Sequence, residues 1–181
     1  MRVITGKYRG RVLKGPKHQG LRPTADRVKE ALFNIIGPVI VDADFLDLFA
    51  GTGGIGIEAL SRGAQSVVFV DAKGASIQLL KSNLHFIDPG DQVRVIQALA
   101  GKALPMLANE GTGFDIIFLD PPFEAGLLDQ TVKAVWELEL LRPEGILVAE
   151  HPRKLELTQP AGIETQVRHY GDISLSIFKR P

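Results

Sequence analysis

The stretch FLDLFAGTGGIGIEAL, Phe45 to Leu60, decides how the chain folds. An apolar strand, FLDLFA, runs directly into glycines at 51, 53 and 56, and a helical segment follows without a break. Strand, tight glycine turn and helix make the opening half of a βαβ unit. Gly51-x-Gly53-x-x-Gly56 also matches the G-x-G-x-x-G pattern of dinucleotide-binding folds, and Asp71 stands at the spacing of an acid that accepts ribose hydroxyls. The glycines only let the backbone turn and approach a ligand, so the pattern suits NAD and S-adenosylmethionine (SAM) alike.

Outward from that turn, strand and helix signals alternate. SVVFVD is a second strand, apolar enough for burial on both faces, and Ile77, Leu80, Leu84 and Ile87 follow at helical spacing. VRVIQAL is a weaker third strand, with a short helix near Lys102 to Asn109 behind it. DIIFLD is a fourth strand, cut off by Pro121-Pro122; LLDQTVKAVWELELL is helical, with Arg142-Pro143 as its stop; GILVAEH is a fifth strand. The tail alternates through IETQVRHY and ISLSIFKR around Gly171-Asp172, a hairpin. Upstream, Thr24 offers an N-cap after Pro23, and Val28, Leu32, Ile35 and Ile36 mark one helix face that ends at Gly37-Pro38. The expected class is α/β: a Rossmann-like parallel sheet with helices on both faces, closed by an antiparallel hairpin. One domain accounts for residues 1–181, with 1–20 as a basic extension and 21–181 as the ligand-binding core.

Composition narrows the setting. Without cysteine there is no disulfide and no thiolate chemistry. No apolar run reaches bilayer length and the N-terminus lacks a signal core, so a cytoplasmic protein is expected. The net charge of zero hides a polarity: residues 1–36 hold nine Lys and Arg against two Asp and Glu, and the remainder holds twelve against nineteen. RVITGKYRGRVL reads as a basic hairpin turning around Gly6 to Gly10, which is either a grip for an anionic partner or a solvated face.

Two neighbours of the glycine turn separate the ligands. Asp47 sits inside the apolar strand, where an unpaired carboxylate is unfavourable. It would repel a pyrophosphate and suit the ammonium and sulfonium of SAM; the alternative is that it only caps a nearby backbone amide. DPPF, Asp120 to Phe123, follows the fourth strand. Pro121 and Pro122 have no N–H to donate, so the chain leaves the sheet with carbonyls free. The Asp120 carboxylate and the Pro121 carbonyl can accept both N–H groups of an exocyclic base amine while Phe123 stacks on its ring.

With those residues in place the chain resembles a class I SAM-dependent methyltransferase, and more narrowly the RsmD-type family that methylates guanine N2 in 16S ribosomal RNA. The resemblance runs through RVITGKYRGRVL, LRPTADRVKEALFNII, DLFAGTGGIGIEAL and FLDPPF, nearly the whole chain. It implies a seven-stranded sheet with the last strand antiparallel. It implies that Asp47, Gly51, Thr52 and Gly53 face the methionine part of SAM, Asp71 the ribose, and Thr24 and Arg27 the cofactor carboxylate. It further implies that Asp120, Pro121, Pro122 and Phe123 hold the target guanine. RNA would be gripped by Arg2, Lys7, Tyr8, Arg9, Arg11, Lys14, Lys17 and Arg22, Tyr8 either stacking on a base or simply standing exposed. The partner would be ribosomal RNA or the small subunit, with the protein a monomer and away from membranes. One departure concerns Ala98 and Leu99: relatives usually carry an acid for the adenine amine where Leu99 stands.

His18, His85, His151 and His169 are scattered without ligand-like spacing, so no metal site is expected; His151 and Trp136 read as structural. Rival readings are a small-molecule N-methyltransferase, a DNA amino-methyltransferase and a non-catalytic RNA-binding assembly protein with a vestigial pocket.

Overall fold

The computed structural model describes residues 1–15, 23–122, 124 and 126–181. Expectations placed on Lys17, His18, Arg22 and Phe123 lie outside them, as does the side chain of Thr24. The elements run α1 (Pro23–Ile36), β1 (Asp44–Leu48), α2 (Gly54–Ser61), β2 (Ser66–Asp71), α3 (Gly74–Ile87), β3 (Val93–Gln97), α4 (Ala100–Asn109), β4 (Phe114–Leu119), α5 (Leu127–Glu137), β5 (Leu141–Pro152), β6 (Glu164–Tyr170) and β7 (Ile173–Lys179).

The seven strands form one sheet in the order β3-β2-β1-β4-β5-β7-β6. β1 to β5 are mutually parallel where they pair, and β7 runs antiparallel to both β5 and β6. The order reverses between β1 and β4, so the loops leaving those two strands diverge and open a crevice at their carboxyl ends. Alternation along each strand sends side chains to two cores. Phe45, Phe69, Phe118 and Val148 join the cluster with α1, α2 and α3, whereas Leu46, Leu48, Leu119 and Ala149 join the one with α4 and α5. The weak pattern of β3 fits its place at the sheet edge, where it is half-exposed.

Two boundaries differ from expectation. α5 ends at Glu137, and Glu139 turns the chain through a positive φ of 51° before Leu140 and Leu141 bury. Arg142-Pro143 therefore lies inside β5, at a register shift between the pairs Phe114–Leu141 and Ile116–Ile146. The irregular backbone there tolerates a proline, and Arg142 bridges Asp44 and Asp115 at 2.7 and 2.5 Å. The N-terminal segment doubles back around a short bridge between Arg2 and Val12, with Leu13 N–H donating to the Met1 carbonyl at 2.8 Å and Val3 N–H to the Arg11 carbonyl at 2.9 Å. Contacts to the core add to this short pairing.

Those contacts converge on α2. Glu58, fully buried, accepts the amides of Ile4 and Thr5 at 2.8 and 3.0 Å and Arg62 Nε at 2.9 Å, and it pairs with buried Lys29 Nζ at 3.3 Å. Lys29 also donates to the Arg2 carbonyl at 2.6 Å. Ser61 closes the turn: its Oγ accepts Tyr8 N–H and its carbonyl accepts Lys7 N–H, with Gly6 so close that a Cβ would meet the Ser61 carbonyl at 1.6 Å. Asn83 on α3 clasps Lys14 through both its amide N–H and its carbonyl. Tyr8 is thereby a core residue, 4% exposed, with the Lys7 and Arg11 cations over its ring; it is not available to stack on a base, contrary to its reading as an RNA contact.

Removing one partner from a buried ion pair leaves the other charge uncompensated, which costs about 3–5 kcal/mol. Glu58→Gln is expected to lower the unfolding free energy by about that amount, read from denaturant titration, with faster amide exchange at Ile4 and Thr5. An unchanged midpoint would mean the segment is held by its apolar contacts alone.

Candidate active site at the carboxyl edge of the sheet

Asp47 is the deepest polar group of the crevice. Alternation along β1 places it on the face of Phe45, and it is register partner to Phe118 on β4. Its Oδ2 accepts Gly56 N–H at 2.8 Å, so it caps the first turn of α2 from outside the helix. The amide cap and a place in the cavity wall are therefore both true of Asp47. Full burial, with the charges of Asp120 and Asp71 adding, pushes its carboxyl up to about 7 despite the Gly56 hydrogen bond.

The glycine turn is built as its sequence requires. Gly51 and Gly53 adopt positive φ of 55° and 83°, the latter as N-cap of α2. At Gly53 a Cβ would also meet Leu80 at 2.3 Å, and at Gly56 one would meet Phe69 at 2.3 Å, where the helix lies tight against β2. Asp71 ends β2 and accepts Gly51 N–H and Lys73 N–H, each at 2.8 Å. Each carboxylate oxygen keeps a further lone pair for a hydroxyl.

A cavity of about 430 Å³ opens beside this turn. Its walls bring together Asp47, Gly51 and Thr52 with Asp120 at the end of β4. Gly53, Asp71, Ala98 and Leu99 are not part of that wall; Leu99 stands 63% exposed at the N-cap of α4, and Ala98 N–H donates to the Asp71 carbonyl. Arg27 is exposed on α1 and also lies off the wall, where Asp26, Lys29 and Leu32 of the same helix face inward instead. Pro121 is buried and Pro122 exposed; Glu124 N–H donates to the Pro122 carbonyl, and among the described residues no backbone amide donates to that of Pro121.

Several wall residues have no motif behind them. Glu150, half-buried near the end of β5, is the most polar, and Met1 fills the place a side chain on Gly54 would take. The period-2 alternation of β5 was the available signal for Glu150, since Val148 two residues earlier belongs to the same face. Lys29 was signalled by α1, because it shares the buried face with Val28 and Leu32. His151 points to the other side of β5, buried, with Nε2 2.8 Å from Ser176 Oγ; burial lowers its pKa.

The electrostatics favour a cationic or donor-rich ligand. Asp26, Asp47, Asp120 and Glu150 share the wall, and the Lys29 ammonium beside them is committed to Glu58 and the Arg2 carbonyl. A pyrophosphate would meet like charge here, whereas an ammonium or sulfonium would be held. Asp120 is open to the cavity yet flanked by low-dielectric walls, and that desolvation raises its carboxyl to about 6; Glu150 rises to about 8, from burial first and the Asp120 charge second.

Asp47, Asp120 and Glu150 all hold protons more tightly in the fold than in the unfolded chain. The native state therefore carries extra protons between about pH 4 and about pH 8, and stability falls as pH rises through that window. Asp47→Asn is expected to flatten the fall, its melting temperature matching wild type near about pH 4 and exceeding it near about pH 8. Parallel curves would place the penalty elsewhere.

Comparison with known proteins agrees with this geometry. The family described as Conserved hypothetical protein 95 matches residues 1–179. A relative in Escherichia coli (strain K12), "Ribosomal RNA small subunit methyltransferase D", is 43% identical over 150 residues, which cover 83% of this chain and 74% of the relative. YlbH of Bacillus subtilis (strain 168) is 42% identical over 182 residues, 99% of either chain. Among solved structures, yhhF from Escherichia coli superposes with a TM-score of 0.86 at 38% identity, covering 99% of this chain and 97% of that one. The chain belongs to the Conserved hypothetical protein 95 family, the RsmD-type family that its motifs resemble.

Proposed function

We propose that the protein transfers a methyl group from SAM to the exocyclic N2 of a guanine in small-subunit ribosomal RNA. The observation that carries this reading is that one acidic cavity joins the glycine turn after β1 to Asp120 after β4. A donor pocket and an acceptor pocket thus share one wall. The relatives' names as small-subunit RNA methyltransferases support the choice of substrate.

The residues fit the cofactor. Gly51 and Thr52 give a backbone surface with no bulky side chain at the turn, and Asp47 supplies negative charge for an ammonium and sulfonium. Asp71 keeps lone pairs for ribose hydroxyls. Exposed Leu99 offers an apolar surface for the adenine, and the α4 turn behind it supplies backbone groups in place of the missing acid. When bound, SAM supplies an electrophilic methyl on sulfur.

Guanine N2 is a weak nucleophile because its lone pair is delocalised into the ring. Acceptors at Asp120 and at the Pro121 carbonyl hold its two N–H groups and favour the pyramidal amine whose lone pair points at the methyl. That is catalysis by fixed acceptors and positioning, with no covalent enzyme intermediate. Asp120, raised to about 6 by desolvation, is ionised at neutral pH and close enough in affinity to take the departing proton on a carboxylate oxygen.

The basic segment gives the RNA side. Met1 and Gly15, at its two ends, both line the cavity, and Arg2, Lys7, Arg9, Arg11 and Lys14 between them are exposed. Arg11 and Lys14 are steadied by α3, through the Phe86 carbonyl at 2.6 Å and Ser82 Oγ at 2.9 Å. Phosphates gripped there would deliver an unstacked base to Asp120.

Asp120→Ala tests the assigned chemistry. Methyl transfer to rRNA is expected to fall by about a hundredfold or more, with SAM affinity by calorimetry within about threefold of wild type. Near-normal turnover would remove Asp120 from the reaction.

A further inference from the structure

Asp120 explains how an amine is held, but an amine is common to guanine, adenine and cytosine. What distinguishes them is the ring nitrogen beside it. In guanine that position is N1–H, a donor; in adenine N1 and in cytosine N3 it is a lone pair, an acceptor. A site that selects guanine needs a second acceptor next to the first.

We infer that Glu150 is that second acceptor, taking guanine N1–H beside the N2 amine held by Asp120 and rejecting bases that present a lone pair there; the inference rests on the guanine reading above.

The strand register makes the pair. Leu119 and Ala149 are partners across the parallel β4–β5 ladder, so positions 120 and 150 continue it side by side. Phe118 and Val148, two residues earlier on each strand, belong to the core on the cavity side of the sheet. Alternation returns Asp120 and Glu150 to that side, and both line the cavity. Neighbouring strands lie about 4.8 Å apart, a separation that two carboxyls close over adjacent N–H groups of one ring. Among the described residues neither side chain takes a hydrogen bond or an ion pair, whereas Glu58, another acid on this side of the sheet, is saturated with donors. Glu150 thus stands half-buried with its hydrogen-bonding capacity unspent, facing the space where the base would lie. Burial and the Asp120 charge hold its proton on to about 8, and donors from a base would reverse that balance.

The chemical consequence is a penalty against the wrong base. Above about pH 8, where Glu150 is ionised, a lone pair placed against its carboxylate is both repelled and left without a donor, and a polar readout of this kind discriminates by about 1–3 kcal/mol, which is roughly tenfold to a hundredfold.

The test separates N1 from N2. Small-subunit rRNA is prepared with either guanosine or 2-aminopurine riboside at the position the wild type methylates. 2-Aminopurine keeps the N2 amine and replaces N1–H by a lone pair. Transfer rates are compared at about pH 8.5, above the Glu150 value, for wild type and Glu150→Gln, whose amide can donate to the lone pair. Wild type is expected to favour guanosine by about tenfold or more, and Glu150→Gln to shrink that ratio by about tenfold with SAM affinity unchanged. A wild-type enzyme indifferent to the replacement overturns the inference without any variant. So does a Glu150→Gln ratio equal to wild type, even where both rates are lower. A wild-type product other than N2-methylguanosine instead sinks the guanine reading, and is seen before the modified RNA is made.

Discussion

Like charges gathered on one wall are the constraint that organises this molecule. Asp47, Asp120 and Glu150 come from three adjacent parallel strands whose register and alternation leave their carboxyls on one face. Among the described residues only Asp47 of the three has an internal donor, the Gly56 amide, and all three are pushed toward the protonated state. A fold selected for stability alone would place apolar side chains there. The penalty is offset when a ligand brings positive charge and N–H donors, which is the description of a sulfonium cofactor and a base amine.

The second organising device is the attachment of the N-terminal segment. Its formal charge is strongly basic, yet Glu58, Ser61 and Asn83 hold its backbone to α2 and α3 at named amides and carbonyls. Val3, Tyr8 and Leu13 bury beneath it. The cations are thereby carried on a fixed part of the domain rather than on a loose tail. A basic surface that keeps a constant relation to Asp120 supplies orientation as well as attraction.

Much of this was legible in the residues. The alternation of apolar runs, glycines and prolines identifies the parallel sheet, and the closing hairpin is visible in its Gly-Asp turn. The carboxyl-edge site follows from the same pattern, because Gly51, Asp71 and Asp120 all stand at strand ends. Tyr8 was misread because Lys7 and Arg9 beside it look like a solvated hairpin; the bridge is too short to show alternation, and the ring buries through long-range contacts to the core. Glu58 was invisible for a related reason: its partners are amides fifty-three and fifty-four residues away, and nothing local marks an acid in GIGIEALS as saturated. Arg142-Pro143 reads as a helix stop, but proline also marks strand irregularities, and pairing with Asp44 and Asp115 decides between them. Arg27 and Lys29, two residues apart on α1, fall on opposite faces of the helix, one exposed and the other in the cavity wall.

The most direct test of the account is to supply the protein with labelled SAM and either free small-subunit rRNA or assembled small subunits, then digest the RNA to nucleosides. The account predicts label in N2-methylguanosine alone, because the acceptors at Asp120 and the neighbouring wall hold a guanine amine. Label in N6-methyladenosine, or none in either RNA while SAM binds, would contradict it.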